Sequence, residues 1–243
     1  MKWRVLPYTE QDAFTNMALD EVLSQNKTPT IRFYGWKPSA VSVGYFQSLE
    51  SEVNLEQCKT SNVDFIRRRT GGGAVYHDQM GEITYSVIGD LNLFPTGIID
   101  SYKLICGWIV NSLDILGIKA EFKPINDIIV NGKKISGNAQ TRRNGVLLQH
   151  GTILYSVDVD RMFSLLRVPD EKIKDKLIAN VKERVTSVTQ QKSVSKDELY
   201  NALLKGFTNG KDFELSSFTE EELKCARELV SNRYSQKEWN FMR

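Results

Sequence analysis

The chain has 243 residues, 41% hydrophobic and 26% charged, and its 32 Lys and Arg offset 30 Asp and Glu to a net charge of +2. That composition is globular and excludes intrinsic disorder, and the near-balance of charge argues against a protein whose main work is coating nucleic acid or an anionic membrane. No apolar run nears the ~20 residues of a membrane span, and the start, Met1 to Asp12, has no signal-peptide pattern. Cys58, Cys106 and Cys225 show no Cys-x-x-Cys spacing and read as the reduced thiols of a cytoplasmic protein rather than as a zinc site.

In chain order, Thr15–Gln25 reads as a helix, and Ile31–Tyr34 and Val41–Tyr45 as short strands around a Gly35/Pro38 turn. Phe65–Arg67 and Ile83–Ile88 are two further strands. Ser101–Leu116 is a helix on which Leu104, Trp108, Leu113 and Leu116 share an apolar face. Ile128–Val130 and Lys133–Ile135 flank Asn131-Gly132, the pair suited to a type I′ turn, and so predict a hairpin. Val146–Ser156 is a long strand. Beyond about Asp158 the pattern turns helical: Val159–Leu166, Glu171–Ala179, Lys196–Lys205, and Glu220–Ser231 behind a Thr219/Glu222 capping box. Strands followed by helices, without strand–helix alternation, predict an α+β fold with a mixed, largely antiparallel sheet and flanking helices. One domain over 1–243 is expected, strand-rich over 1–158 and helix-rich over 159–243.

Three segments carry candidate chemistry. Arg67-Arg68-Arg69-Thr70-Gly71-Gly72-Gly73-Ala74-Val75-Tyr76-His77-Asp78 sets three glycines behind three arginines. Such a backbone can approach a ligand closely and aim several amides at a phosphate or a mixed anhydride, with fixed positive charge beside it. The same run also suits a turn next to a solvated basic patch. It is neither a P-loop nor a dinucleotide-binding turn. In Asn126–Gln140, Lys133 and Lys134 point to opposite faces of a strand, so one can enter a cleft near Gly137 and Ala139. From the residues alone, a pair of edge-strand lysines is the preferred reading there. His150, between Gln149 and Gly151, suits a hydrogen-bonded core histidine. No serine sits in a nucleophile elbow, so a Ser-His-Asp hydrolase fits poorly.

Taken together these motifs resemble the catalytic domain of a lipoate–protein ligase of the biotin/lipoate ligase superfamily. Asn16–Glu21, Arg32–Tyr34 and Gly44–Gln47 are similar to its N-terminal motifs, Arg67 to Asp78 to its arginine–glycine signature, and Asn126-Asp127 with Lys134, Gly137 and Ala139 to its lysine motif. His150–Thr152 and Arg184–Val188 are similar to later elements. The stretch Arg167–Val188 and the tail Tyr234–Asn240 look most like the short archaeal-type chains, in which a separate small accessory protein stands in for a C-terminal domain, so none is expected here.

The resemblance implies formation of lipoyl-AMP from ATP and lipoate and then transfer to a lysine of a lipoyl-domain acceptor, with no nucleic acid or membrane involved. That acceptor would be an H protein, a 2-oxoacid dehydrogenase acyltransferase subunit or another lipoyl carrier. It implies Lys134 as the catalytic clamp and Asp127 as a ligand or orienter of Mg²⁺. It places the intermediate among Arg68, Thr70, Gly71, Gly72, Gly73, Ala74, Val75, Tyr76, His77, Asp78, Asn126, Asp127, Lys134, Gly137, Ala139 and His150. It puts the lipoate tail against Met17, Ala18 and Val43. The second reading is an octanoyl transferase of the same superfamily, which acts through a thioester on a cysteine. It is set second because no cysteine occurs over Lys119–Lys123, where that group would carry it, and Cys106 lies on an apolar helix.

Overall fold

The computed structural model describes residues 1–167 and 174–243. Its strands are β1 (Lys2–Gln11), β2 (Thr30–Trp36), β3 (Ala40–Val43), β4 (Asp64–Arg67), β5 (Val75–His77), β6 (Glu82–Asp90), β7 (Glu121–Lys123), β8 (Asp127–Val130), β9 (Lys133–Arg143), β10 (Val146–Leu154) and β11 (Asp212–Leu215). Eight of these form one sheet in the order β11-β1-β2-β6-β10-β9-β8-β7, and three form a second, β4-β3-β5. The β1–β11, β1–β2 and β3–β4 pairs are parallel and the rest antiparallel. The fold is thus the mixed α+β arrangement that the element order predicts.

The central strands β2, β6 and β10 are covered on both faces, which is why they read as near-continuous apolar runs. On one face, Val5, Phe33, Tyr85 and Val87 pack with Ile105, Ile109 and Leu113 of the Ile98–Ile115 helix and with Leu203 and Phe207 of the Lys196–Thr208 helix. The apolar face expected for the first of these helices is rotated in the structure. Ile105, Ile109 and Leu113, four residues apart, define the stripe, and Leu104, one residue off it, is 39% exposed. On the other face, Met17 and Leu19 of the Ala13–Leu23 helix pack with Tyr34, Trp36, Ile66 and Tyr234.

Several boundaries move. The last long strand ends at Leu154 rather than Ser156. The helix expected over Glu171–Ala179 is seen as Lys174–Arg184; residues 171–173 of that expectation, like 168–170 of the stretch that begins at Arg167, lie outside the described residues. The Glu220–Leu229 helix has both halves of the Thr219/Glu222 capping box and runs on into a π-helical turn over Val230–Tyr234. Asn131 (φ 51°) and Gly132 (φ 77°) take the two positive φ angles of the expected β8–β9 turn. Among the described residues, no helix is long and apolar enough to cross a membrane.

Arg67, at the end of β4, fastens the C-terminal segment to the small sheet. Its side chain is fully buried and donates to the carbonyls of Gly44, Tyr45 and Gln47 on one side and of Trp239 and Asn240 on the other, at 2.6–3.1 Å. Trp239 Nε1 donates to the Arg67 carbonyl, and the Arg67 amide donates to Asn240 Oδ1. Removing the guanidinium leaves several buried carbonyls without donors, each worth roughly 1–3 kcal/mol. Arg67→Ala is therefore expected to lower unfolding free energy by about 3 kcal/mol or more in a urea titration. An unchanged midpoint and slope would contradict this clamp.

Candidate functional site

A cavity of about 340 Å³ lies between the Ala13–Leu23 helix, the two sheets and the Lys174–Arg184 helix. This is within the range of small-molecule sites, roughly 300–1,000 Å³. Its apolar wall includes Met17, Tyr34, Trp36, Met162, Val181 and Val185, and its polar wall Arg68, the Gly72–Asp78 stretch, Lys134, Asn138 and His150.

The glycine turn joins β4 to β5 and is folded around Arg68. That side chain is buried, and all five of its N–H groups are engaged: Nε with Thr70 Oγ1, Nη1 with Ser42 O and Oγ, Nη2 with the carbonyls of Gly71 and Gly73, at 2.8–3.2 Å. Burial pulls its pKa down to about 10, which leaves it charged at neutral pH. Gly72 has φ 96°, and a Cβ on Gly44 would lie 2.1 Å from the Gly72 carbonyl oxygen, so both positions need glycine. Arg68, expected to face a phosphate, instead has no donor left for a ligand. It shapes the turn, and the turn's backbone faces the cavity.

Two buried imidazoles flank this guanidinium. His150 on β10 contacts Thr70 Oγ1 through Nε2 (2.7 Å) and Asp20 through Nδ1 (3.3 Å). Asp20 also takes bonds from Arg32 (2.8 Å) and Ser86 (2.7 Å). Burial pushes the Asp20 pKa up, but the His150 bond, the Arg32 charge and Ser86 together hold it below the ordinary carboxylate value. His77 on β5 stacks on Trp36 with ring centres 4.0 Å apart. It contacts Ser42 Oγ through Nε2 and Glu82 Oε1 through Nδ1, both at 2.8 Å.

On the opposite wall, β9 delivers Lys134 to the cavity while Lys133 stays exposed, as the strand's alternation predicts. Lys134 Nζ pairs with Asp127 Oδ1 at 2.6 Å. A Cβ on Gly137 would come within 2.8 Å of that ammonium, so the glycine makes room for it. The Lys134 carbonyl accepts from Thr186 N (2.8 Å), which ties the Arg184–Val188 element to the lysine. Apart from its ion pair with Lys134, Asp127 Oδ1 is buried without a hydrogen-bond partner, and among the described residues no three His, Cys, Asp or Glu side chains gather around one point.

Of the expected site residues, Met17, Arg68, Gly72, Gly73, Ala74, Val75, Tyr76, His77, Asp78, Asn126, Lys134, Gly137, Ala139 and His150 line this one cavity. Thr70 and Asp127 stand behind the lining, each paired with a residue in it, and Gly71, whose carbonyl accepts from Arg68 Nη2, is outside the lining. Ala18 and Val43 belong to the packed cores and do not reach the cavity. Ser42, Trp36, Glu82 and Thr84 do line it and carry no sequence signal of their own. No cysteine lines it. Cys58 and Cys106 are buried among apolar side chains, which pushes their thiols up to about 11 and about 12, away from the reactive thiolate.

Comparison with known proteins identifies the family. A family described as the lipoyl protein ligase A/B catalytic domain matches residues 12–208. Octanoyltransferase LipM of Brevibacillus brevis is 38% identical over 100% of this chain and 99% of its own, and that of Bacillus subtilis 35% over 99% and 98%. Among solved structures, the archaeal bipartite lipoate protein ligase of Thermoplasma acidophilum, studied with its E2 lipoyl domain, superposes with a TM-score of 0.91 at 38% identity. The match covers 99% of this chain and 96% of that one. A lipoate–protein ligase A bound with ATP superposes with a TM-score of 0.86 at 35% identity, covering 99% of both chains. The full-length octanoyltransferase relatives overturn the expectation of an ATP-dependent ligase and favour the reading set second above.

The buried histidine makes a testable statement about pH. Burial holds the His150 pKa below 6.5, only partly offset by its bond to Asp20. Below 6.5 the unfolded chain therefore binds a proton that the folded chain refuses. The stabilisation is fully present above that value and declines as pH falls from it toward the folded pKa. Urea unfolding across about pH 5–8 is expected to show stability falling on acidification in the native chain and a flatter profile in His150→Gln. Parallel profiles would contradict the assignment.

Proposed function

Because the chain belongs to the lipoyl protein ligase A/B catalytic domain family, we propose that it is an acyltransferase, one that moves an octanoyl-length acyl group from a carrier thioester to a lysine of a lipoyl domain. The observation that carries this reading is a single cavity in which an apolar wall of Met17, Tyr34 and Trp36 meets Lys134 and the glycine turn. An acyl tail on that wall gains ~0.8 kcal/mol per buried CH₂ and brings its carbonyl toward the cationic side. A thioester is already activated, so this transfer consumes no ATP.

The roles follow from position. As a nucleophile adds to the acyl carbonyl, negative charge grows on its oxygen. Lys134, 42% exposed in its side chain and steadied by Asp127, is the mobile donor that can meet that charge. The backbone of Gly72, Gly73 and Ala74, fixed by Arg68, forms the facing wall and needs no reorganisation as charge develops. Asn126 and Asn138 bond to each other across the β8–β9 strands and hold the floor beside Gly137. The acceptor is a lipoyl domain of the kind studied with the archaeal relative, presenting a lysine at the cavity mouth beside Lys134. The separate accessory subunit expected from the short ligase chains forms no part of this reading.

The test is to incubate the purified chain with an octanoyl thioester of a pantetheine carrier and a lipoyl domain, and to read the acylated lysine by mass spectrometry. Modification without ATP is expected. Modification that appears only with free octanoate plus ATP would overturn the reading. In the same assay Lys134→Ala should cut the transfer rate by at least ~10²-fold, the scale of losing one preorganised donor, while Lys133→Ala stays within a few-fold. Equal losses would count against the oxyanion role. Single Cys58→Ala, Cys106→Ala and Cys225→Ala variants are each expected to retain transfer. A variant that folds but loses it would restore a thiol mechanism.

A further inference from the structure

A family of acyl transfers that runs through a thioester leaves a question in a chain whose cavity holds no thiol: what carries the acyl group. We propose that Ser42 is the nucleophile, with His77 as its general base and Glu82 orienting the imidazole. This inference rests on the acyltransferase reading.

The argument is geometric. Ser42 Oγ lies 2.8 Å from His77 Nε2, and His77 Nδ1 lies 2.8 Å from Glu82 Oε1. Both distances fall within the reach required of a nucleophile, its base and the group that orients the base. All three residues line the cavity. An acidic group at Nδ1 fixes that nitrogen as the one bearing hydrogen, so Nε2 presents its lone pair to the serine hydroxyl. Arg68 Nη1 donates to Ser42 Oγ at 3.0 Å, and so lowers the cost of negative charge on that oxygen. Stacking on Trp36 holds the imidazole plane. The second carboxyl oxygen of Glu82 is buried with no hydrogen-bond partner among the described residues.

The chain contains a second relay of the same form, Asp20–His150–Thr70, and it does not qualify. Thr70 and Ser42 are both buried, at 0% and 1% exposure, but Thr70 is outside the cavity lining whereas Ser42 is part of it. That relay braces the turn, while the Ser42 relay faces the substrate space.

The step balances as follows. Ser42 Oγ attacks the thioester carbonyl carbon and its proton passes to His77 Nε2. The C–S bond breaks and the carrier thiol leaves with that proton, giving an ester on Ser42. The neutral amine of the acceptor lysine then attacks the ester carbonyl and gives a proton to His77. The C–O bond breaks, Ser42 Oγ recovers the proton, and an amide remains. No oxidant, reductant or nucleotide is needed.

The test uses p-nitrophenyl octanoate as an acyl probe without acceptor, and octanoyl-coenzyme A with a lipoyl domain. The native chain is expected to release a burst of p-nitrophenolate equal to one per chain. Peptide mapping should then locate one octanoyl group on Ser42, stable to neutral hydroxylamine as oxygen esters are. Ser42→Ala should give neither burst nor label. Ser42→Cys should keep the label and make it hydroxylamine-labile, a change that a merely structural serine would not produce. Glu82→Gln should slow the burst by ~10²-fold or more, as when the carboxylate behind a catalytic histidine is neutralised. Labelling of a different residue, or transfer to the lipoyl domain by folded Ser42→Ala at the native rate, overturns the serine and leaves the acyltransferase reading standing. Capture on Ser42 with no product on the lipoyl domain overturns the acceptor and leaves the serine standing. Neither capture nor transfer overturns both.

Discussion

The arrangement of the cavity depends on one buried cation. Arg68 sits out of solvent with no acidic side chain bonded to it, so its charge must be spread over neutral acceptors. Three of these are backbone carbonyls, two of them from the glycine turn itself. Turning the carbonyls of Gly71 and Gly73 inward to one guanidinium requires a backbone path through Gly72 at positive φ. The three-glycine run is thus explained by the needs of an arginine inside the protein. The ligand-facing backbone of the turn is the other side of the same solution. The two side-chain acceptors, Thr70 and Ser42, each pass the chain of bonds to an imidazole, and each imidazole passes it to an acidic residue. An unbroken hydrogen-bonded line therefore runs from Asp20 on the first helix, through His150, Thr70, Arg68, Ser42 and His77, to Glu82 on β6.

How much of this was legible in the sequence depends on whether a residue's partner is local or remote. The Asn131-Gly132 turn and the opposite directions of Lys133 and Lys134 follow from local backbone geometry, and both hold in the structure. The thirteen lining residues predicted besides Met17 come from three segments, and sheet pairing collects them at one cavity. Ser42 is another matter. Its importance comes from cross-strand register, which sets Ser42 opposite Val75 and Ala40 opposite His77 on β5, and from the side chain of Arg68 reaching back across β3. None of those relations leaves a mark in the residues around Ser42. Val43, its neighbour, looked the better candidate because it is apolar, yet alternation turns it into the core with Val41.

The two strands at one side of the large sheet, β11 and β1, were missed for related reasons. β1 carries Pro7 and several charged residues, so its inward Trp3 and Val5 do not stand out as a period. β11 is exposed at all four positions and has no burial pattern to read. Neither strand touches the cavity, so these omissions left the site reading intact. Leu104 shows the complementary error, an apolar residue taken for core that one step of helical rotation places in solvent.

The displacement of the ligase expectation has a chemical reason. Attack on an acyl adenylate and attack on an acyl thioester both pass through an acyl carbonyl that gains negative charge beside a cationic donor and a rigid backbone wall. The glycine turn and Lys134 answer that shared demand, so they cannot by themselves separate the two reactions. What separated them in the sequence was the missing cysteine, and that criterion assumed that an acyl group can be carried only on sulfur. A hydroxyl is a weaker nucleophile than a thiolate at neutral pH, and it becomes competent when a base accepts its proton and a fixed charge lowers the cost of the alkoxide. The cavity supplies His77 as the first and Arg68 as the second within 3.0 Å of the same oxygen. The buried arginine that dictates the shape of the turn thus also sets the electrostatics of the one hydroxyl on the cavity wall that is bonded to an imidazole. On this view the scaffold and the chemistry are consequences of the same buried charge.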